Sequence, residues 1–123
     1  MATSIILAGI KNCDGVRSAQ RWLDANSIDY VFLDLRSDLF VRHILGKWME
    51  KVDWTTLLNK RSATWRGLDD KDRTDLDEAR AMTLMMKHPT LIKRPVLEME
   101  NVIEVGFSAE RYTELLKGPL NKS

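Results

Sequence analysis

This sequence of 123 residues has few of the residue types that most metal and disulfide sites need. It contains one cysteine, two histidines and three prolines. A single cysteine cannot form an internal disulfide, which favours a reducing, cytoplasmic compartment. The histidines, at positions 43 and 88, lie far from Cys13 in the sequence. Potential zinc ligands are therefore too few and too dispersed to predict a metal site.

An excess of one charge and long apolar runs are also missing. The 19 basic and 18 acidic side chains give a net charge of +1, so we expect neither a nucleic-acid nor a membrane-surface partner. No apolar run approaches the roughly 20 residues of a membrane-spanning helix. The short apolar stretch near the N-terminus lacks the preceding basic residues of a signal peptide. Length and composition predict one soluble domain over residues 1–123, and we expect it to be a monomer.

The first 35 residues carry a strand, a helix and a second strand. Residues 4–9 (SIILAG) and 30–35 (YVFLDL) are short runs rich in β-branched or aromatic residues, as is typical of buried strands. Between them, Val16, Ala19 and Leu23 recur at helical spacing. The connection is long enough to join two adjacent, parallel strands by a right-handed crossover.

Residues 38–88 show helical patterns and no strand signal. We predict a helix capped by Asp38, a short helical turn capped by Asp53, and a longer helix that Pro89 ends. The apolar face predicted for the longer helix consists of Leu76, Ala79, Met82 or Thr83, and Met86.

Strands return at residues 95–99 and 102–106, which predict a hairpin with a tight turn at Glu100-Asn101. Ser108 then caps a last helix that Gly118-Pro119 stops. The order β-α-β, helical insert, β-β-α predicts an α/β protein of thioredoxin-like fold. Its four-stranded mixed sheet would carry a helical lobe inserted at about residues 38–92.

Cys13 lies in the polar stretch "GIKNCDG", where the first strand ends and the first helix begins. The free N–H groups and the dipole of a helix N-terminus favour a thiolate. Lys11 adds positive charge, whereas Asp14 opposes a second anion. We expect a thiol pKa below the free value of about 8.5. A buried core cysteine is the alternative, but such a residue should lie within an apolar run.

Residues elsewhere are candidates for the same site. Pro95 heads the third predicted strand, which neighbours the first in a thioredoxin-like sheet, so Pro95 should face the Cys13 turn. Arg94 could present its guanidinium to an oxyanion or a carboxylate, the alternative being a solvated arginine beside Lys93. Trp65 could form a wall of a ligand cleft, although core packing is the alternative.

Four stretches of the sequence carry a family resemblance: "IKNCDGVRSAQRWL", "LLNKRSATWRGL", "KHPTLIKRPVL" and "VGFSAERYTELL". In order and spacing they resemble the arsenate reductase (ArsC)-like family of the thioredoxin superfamily, and within it the YffB-like subgroup. The resemblance covers nearly the whole chain. It implies a thioredoxin fold with a helical insert, a nucleophilic cysteine at Cys13, and glutathione or glutaredoxin as partner. Glutathione would be a co-substrate, with no permanently bound cofactor.

The sequence departs from the family's pattern at two positions. The glutathione-linked arsenate reductases that this chain resembles place three arginines around the cysteine. Arg94 matches one of them. Asn59 stands at the second position, with Arg61 two residues later, and Gly106 stands at the third. One or two arginines would stabilise an arsenate adduct less well, so we do not expect efficient arsenate reduction.

Two functions follow from this interpretation. The first is a glutathione-dependent thiol reductase that acts on a small-molecule or protein thiol or disulfide substrate. Cys13 is its nucleophile, an external thiol resolves the intermediate, and Lys11, Asn12, Arg61, Trp65, Arg94 and Pro95 are the candidate binding residues. The alternative is a non-catalytic regulator similar to the Spx proteins, which contact RNA polymerase. Many Spx-like proteins carry a C-x-x-C switch, but Val16 replaces the second cysteine here.

Overall fold

The computed structural model of the chain describes residues 4–117. The strands are β1 (Ile5–Gly9), β2 (Val31–Asp34), β3 (Val96–Met99) and β4 (Val102–Val105). The helices are α1 (Asp14–Ala25), α2 (Arg42–Lys51), α3 (Trp54–Leu57), α4 (Ala63–Arg66), α5 (Asp70–Arg73), α6 (Glu78–Lys87) and α7 (Ala109–Leu116), with a 3-10 turn at Pro89–Leu91.

The four strands form one mixed sheet in the order β2-β1-β3-β4. Strand β1 is parallel to β2 and antiparallel to β3, and β4 is antiparallel to β3. Leu7 on β1 is in register with Phe32 on β2 and Leu97 on β3. The predicted α/β class and thioredoxin-like arrangement are confirmed.

The sheet buries a different layer on each face, because successive side chains of a strand point to opposite sides. On one side Leu7 and Leu97 pack with α1 and α7, which contribute Val16, Ala19, Leu23, Tyr112 and Leu116; we call this the helical face. On the other side Ala8 and Val96 pack with the insert between β2 and β3, and we call this the insert face. Its fully buried insert residues include Leu45, Trp48, Leu57, Met85, Leu91 and Ile92.

Two predictions within the insert are wrong. Helix α2 begins at Arg42 with Val41 as its N-cap, so Asp38 does not cap it. Asp38 lies in a turn in which Phe40 donates its N–H to Ser37 O over 3.2 Å, and the helix starts three residues later than predicted. Phe40 is buried, although it precedes the helix.

The buried face of α6 also differs from the prediction. Its fully buried residues are Ala81 and Met85, whereas Ala79 is exposed. Asp77 caps the helix by accepting from the Arg80 N–H over 2.8 Å, so Leu76 lies outside it. Apolar residues occur nearly all around this helix, and periodicity alone therefore could not select the face that packs.

Other local predictions are confirmed. Asp53 caps α3 by accepting from the Thr55 N–H, and Ser108 caps α7 by accepting from the Arg111 N–H. Tyr112 and Leu116 are the buried residues of α7. The predicted stop at Gly118-Pro119 lies outside the described residues. Within residues 4–117, no helix combines the length and apolarity required to cross a membrane.

Candidate functional site

Cys13 is the N-cap residue of α1 and stands between the end of β1 and the first turn of that helix. Its backbone is extended (φ −102°, ψ 128°), and its N–H donates to Ile10 O over 3.2 Å. The Arg17 N–H donates to Cys13 O over 3.0 Å, which starts the helix. The thiol is therefore fixed at the carboxyl end of a central strand and is partly buried.

The surroundings of Cys13 favour the thiolate. Burial raises the pKa of the thiol, but the Val16 N–H, the Arg94 side chain and the Gly15 N–H, which can donate to a thiolate, together lower the pKa by more, and the positive charge of Arg94 adds to them. The net result is a pKa below the ordinary value of a cysteine. The Cys13 side chain makes no regular N-cap hydrogen bond with the first turn of α1. The direction agrees with the expectation from sequence, but the responsible cation is Arg94, while Lys11 is exposed.

Arg94 is held by the main chain. Its Nη1 donates to Thr90 O and to Ile92 O, both over 3.1 Å. The side chain is partly buried, and its Nε is buried with no acceptor among the described residues. Arg94 is therefore an anchored guanidinium rather than a freely solvated one.

The segment Arg94-Pro95 packs directly against the first turn of α1. The peptide bond between these two residues is cis, and Pro95 is buried. A Cβ placed on Gly15 would lie 3.4 Å from Arg94 O, 3.6 Å from Pro95 Cδ and 4.0 Å from Cys13 Sγ. These are ordinary van der Waals distances, so the first turn of α1 lies in contact range of both Arg94-Pro95 and Cys13.

A cleft of about 670 Å³ is lined in part by Arg94, while Cys13 is not among its lining residues. Four cationic residues line it: Lys60, Arg61, Lys93 and Arg94. The remaining lining residues, Thr55, Leu58, Asn59, Val105 and Gly106, are uncharged. Within the part of the chain that the structure describes, none of the four cations forms an ion pair. We call this site the cationic cleft.

Backbone pairing within the insert builds the cationic cleft. The Asn59 N–H donates to Leu91 O over 2.7 Å, and the Lys93 N–H donates to Leu57 O over 2.8 Å. Leu58 and Ile92 form the antiparallel bridge between these bonds. The pairing brings Lys60-Arg61 and Lys93-Arg94 to one cleft from positions over thirty residues apart in sequence.

The sequence analysis singled out Arg61 and Arg94 but missed Lys60 and Lys93. Each missed lysine directly precedes one of those arginines, and the repeated Lys-Arg pair was a signal that could have indicated both. The four residues therefore form the positive lining as two consecutive pairs.

The other candidate residues lie around this centre. Lys11 and Asn12 are exposed in the turn that carries Cys13, outside the lining of the cationic cleft. Trp65 is partly buried on the insert face, also outside that lining, with Lys60 Nζ 5.5 Å from the centroid of its ring. Asn59 and Gly106, which stand where the resemblance places arginines, both line the cleft.

Metal chemistry finds no support in the described residues. Among residues 4–117, no group of three or more His, Cys, Asp or Glu side chains is arranged to hold a metal ion. The site thus combines a cysteine whose thiolate form is favoured with a positively charged cleft, and Arg94 belongs to both.

Comparison with known proteins agrees with the fold. The model of the ArsC family matches residues 8–115. A solved structure described as the YFFB protein is 40% identical, has a TM-score of 0.88, and the match covers 92% of this chain and 99% of that one. A solved arsenate reductase (ArsC) related protein from Brucella melitensis is 36% identical with a TM-score of 0.74, over 95% and 98% of the two chains.

A curated relative from Bacillus cereus, global transcriptional regulator Spx 2, is 27% identical over 91% of this chain and 86% of its own length. This chain is thus similar both to an arsenate reductase related protein and to a transcriptional regulator. The family model spans nearly the whole of the described chain, including Cys13, the cationic cleft and Arg94-Pro95. This protein therefore belongs to the ArsC family.

Proposed function

We propose that this protein is a cytoplasmic, glutathione-dependent thiol reductase with Cys13 as its nucleophile. The observation that carries the proposal is that Arg94 belongs to two sites at once. It stabilises the Cys13 thiolate and it lines the cationic cleft. An anionic thiol or disulfide bound in that cleft would be held beside the atom that attacks it.

The reaction that fits is a pair of thiol–disulfide exchanges. The Cys13 thiolate attacks the glutathione sulfur of a mixed disulfide, forms a Cys13–glutathione disulfide, and releases the substrate as a thiolate, which takes up a proton. A second glutathione thiolate then attacks the glutathione sulfur on Cys13. This step releases glutathione disulfide and regenerates the Cys13 thiolate, so that the substrate sulfur of the mixed disulfide is reduced to a thiol while the sulfur of the incoming glutathione is oxidised.

An external thiol has to resolve the intermediate, because Cys13 is the single cysteine of the sequence. Glutathione suits the cationic cleft, since its two carboxylates can pair with lysine and arginine side chains. Arg61 and Lys93 are the proposed anchors for these carboxylates, while Lys11 and Asn12 extend the contact on the Cys13 turn. Glutaredoxin is the protein partner that could serve in place of free glutathione.

An organic disulfide suits this site better than arsenate. The Asn59 side chain is engaged within its own turn, because its Oδ1 accepts from the Arg61 N–H over 3.0 Å. Gly106 has a φ of +86°, which favours glycine, and nothing lies within 4 Å of the position of a Cβ. Neither position therefore supplies the arginine that the family pattern places there, which leaves a small oxyanion with fewer hydrogen-bond donors.

Incubation with glutathione disulfide followed by intact-mass measurement tests the proposal. We expect one glutathionyl group on the wild-type protein and none on Cys13→Ser. Added glutathione should then remove the group, and a glutathione mixed disulfide should be turned over in an assay coupled to glutathione reductase. An unmodified Cys13, or a group that glutathione cannot remove, would contradict the proposed mechanism.

The second candidate is a binding protein that contacts RNA polymerase, favoured by the similarity to the global transcriptional regulator Spx 2. Copurification of polymerase subunits with a tagged form of this chain, together with no turnover of glutathione mixed disulfides, would support it. Retention of the polymerase by Cys13→Ser would show that binding is independent of the thiol.

A further inference from the structure

The acceptors that hold Arg94 do not belong to the strand and helix that carry Cys13. Thr90 O and Ile92 O, which accept from Arg94 Nη1, lie in the 3-10 turn and in the residue after it. The orientation of the guanidinium therefore depends on where this short segment sits.

That segment is attached to the earlier part of the insert, residues 58–64, by backbone and side chain. Leu58 and Ile92, which form the bridge between the two, are 2% and 0% exposed. Thr64 in α4 and Thr90 share a partly buried hydrogen bond of 2.5 Å between their hydroxyl oxygens. A continuous path of bonded groups thus runs from α4 through Thr90 to Arg94.

The other groups that stabilise the thiolate are independent of the insert. The N–H groups of Gly15 and Val16 belong to the first turn of α1, on the same helix as the thiol. Any influence of α4 on the reactivity of Cys13 through this path must consequently pass through Arg94.

We propose that the insert is a positioning device for the nucleophile, in which Thr64 acts through Thr90 to hold the Arg94 guanidinium beside Cys13. The inference rests on the proposed role of Cys13 as nucleophile. Thr64 is a positioning residue, since its hydroxyl bonds to Thr90. Without the Thr64 hydroxyl, the Thr90 carbonyl is less well fixed, and Arg94 spends less time in contact with the Cys13 sulfur.

The test compares two threonine substitutions of the same kind within the insert. Thr64→Val keeps the shape of the side chain and removes the hydroxyl, and Thr56→Val makes the same change at an exposed position of α3. The thiol pKa is measured from thiolate absorbance, and reactivity from the rate of alkylation by iodoacetamide at pH 6. We expect Thr64→Val to raise the pKa part of the way to that of Arg94→Met and to slow alkylation roughly two- to fivefold. Thr56→Val should match the wild type.

A double substitution separates positioning from a general loosening of the fold. In an Arg94→Met background, Thr64→Val should cause no further change in pKa, because the path already ends at a missing guanidinium. An equal shift in both backgrounds would overturn the inference. Thr64→Ser, which keeps the hydroxyl, should restore the wild-type pKa, and a failure to do so would also count against it.

The same measurements distinguish this inference from the proposed function. A wild-type thiol pKa at or above the ordinary value would remove the activated nucleophile and both proposals with it. A lowered wild-type pKa that Thr64→Val leaves unchanged would remove the positioning role alone.

Discussion

The helical face and the insert face of the sheet are built in different ways. Two amphipathic helices, α1 of 12 residues and α7 of 8, cover the helical face. The insert on the other face contains five helices, of which α3, α4 and α5 have only four residues each. The short helices leave many backbone groups to be paired by caps and bridges, such as the bonds that join Leu57–Asn59 to Leu91–Lys93.

Each face contributes a different part of the candidate site. The helical face contributes the thiol and the N–H groups of α1, which are fixed by a single rigid element. The insert face contributes Arg94 and the other cations of the cleft, whose positions depend on long-range pairing. The position of Cys13, the proposed nucleophile, is thus set by residues near it in the sequence, whereas its charge environment depends on contacts between distant segments.

The largest effect should come from removing the cation that links the two faces. Arg94→Met should raise the pKa of Cys13 and lower kcat/KM for a glutathione mixed disulfide by about 100-fold, since it removes a charge-assisted hydrogen bond to the thiolate and an anchor of the cleft. Because Arg94 lowers the pKa of the thiol, activity that depends on the thiolate should fall as the pH falls through that pKa, and this fall should move to higher pH in the variant. A pH profile that does not move would contradict the role of Arg94.

Substituting one tryptophan on each face compares how much the two faces contribute to the free energy of unfolding. Trp48 on the insert face is fully buried and its Nε1 donates to Glu98 Oε1 over 2.8 Å, whereas Trp22 on the helical face is partly buried against Tyr112. Trp48→Phe should lower the free energy of unfolding by about 2 kcal/mol, because it leaves a partly buried carboxylate without its donor. Trp22→Phe should cost about 1 kcal/mol or less. Urea unfolding of both variants measures the difference, and equal losses would mean that the Trp48–Glu98 bond adds nothing.

The lysines of the cationic cleft should affect binding more than chemistry. Lys93→Gln and Lys60→Gln should each raise KM for glutathione about three- to fivefold with little change in kcat, since an exposed charge pair contributes about 1 kcal/mol or less. Lys47→Gln, an exposed lysine on α2 outside the cleft, is the matched control. A fall in kcat at constant KM would place the lysines in the reaction itself.

The smallest effect should occur at the hydroxyl of Tyr112. The side chain is fully buried on the helical face, its hydroxyl has no partner among the described residues, and burial raises its pKa. Tyr112→Phe should change the free energy of unfolding by less than about 1 kcal/mol, or stabilise the fold, because no hydrogen bond is lost and an unsatisfied polar group is removed. A loss of more than about 2 kcal/mol would reveal a partner for this hydroxyl.

The parts of the fold that sequence could predict are those decided by neighbours in the chain. Strand β1, helix α1 and the β3–β4 hairpin followed from short apolar runs, helical spacing and turn residues. The cap at Ser108 followed from a hydroxyl that precedes an apolar repeat. In each case the physical cause lies within a few residues of its effect.

What sequence could not predict depends on packing between distant segments. The buried face of α6 is selected by contacts with the rest of the insert, and the start of α2 by a turn that buries Phe40. Lys60 and Lys93 meet in one cleft only because Asn59 and Leu91 pair. The position of Cys13 and the candidacy of Arg94 were therefore predictable, while the effect of Arg94 on the thiolate and the cleft that Arg94 lines required the structure.

The residue three positions beyond Cys13 determines how long an oxidised state can last. Val16 is fully buried, and a Cβ on Gly9 would come within 2.4 Å of one of its methyl groups. No second thiol stands there to take over the bond, so in the proposed mechanism an oxidised Cys13 would persist until an external thiol reacts with it. The half-life of that state is then inversely proportional to the concentration of surrounding thiol. The oxidised form of the protein would therefore last longer as the concentration of reducing thiols around it falls.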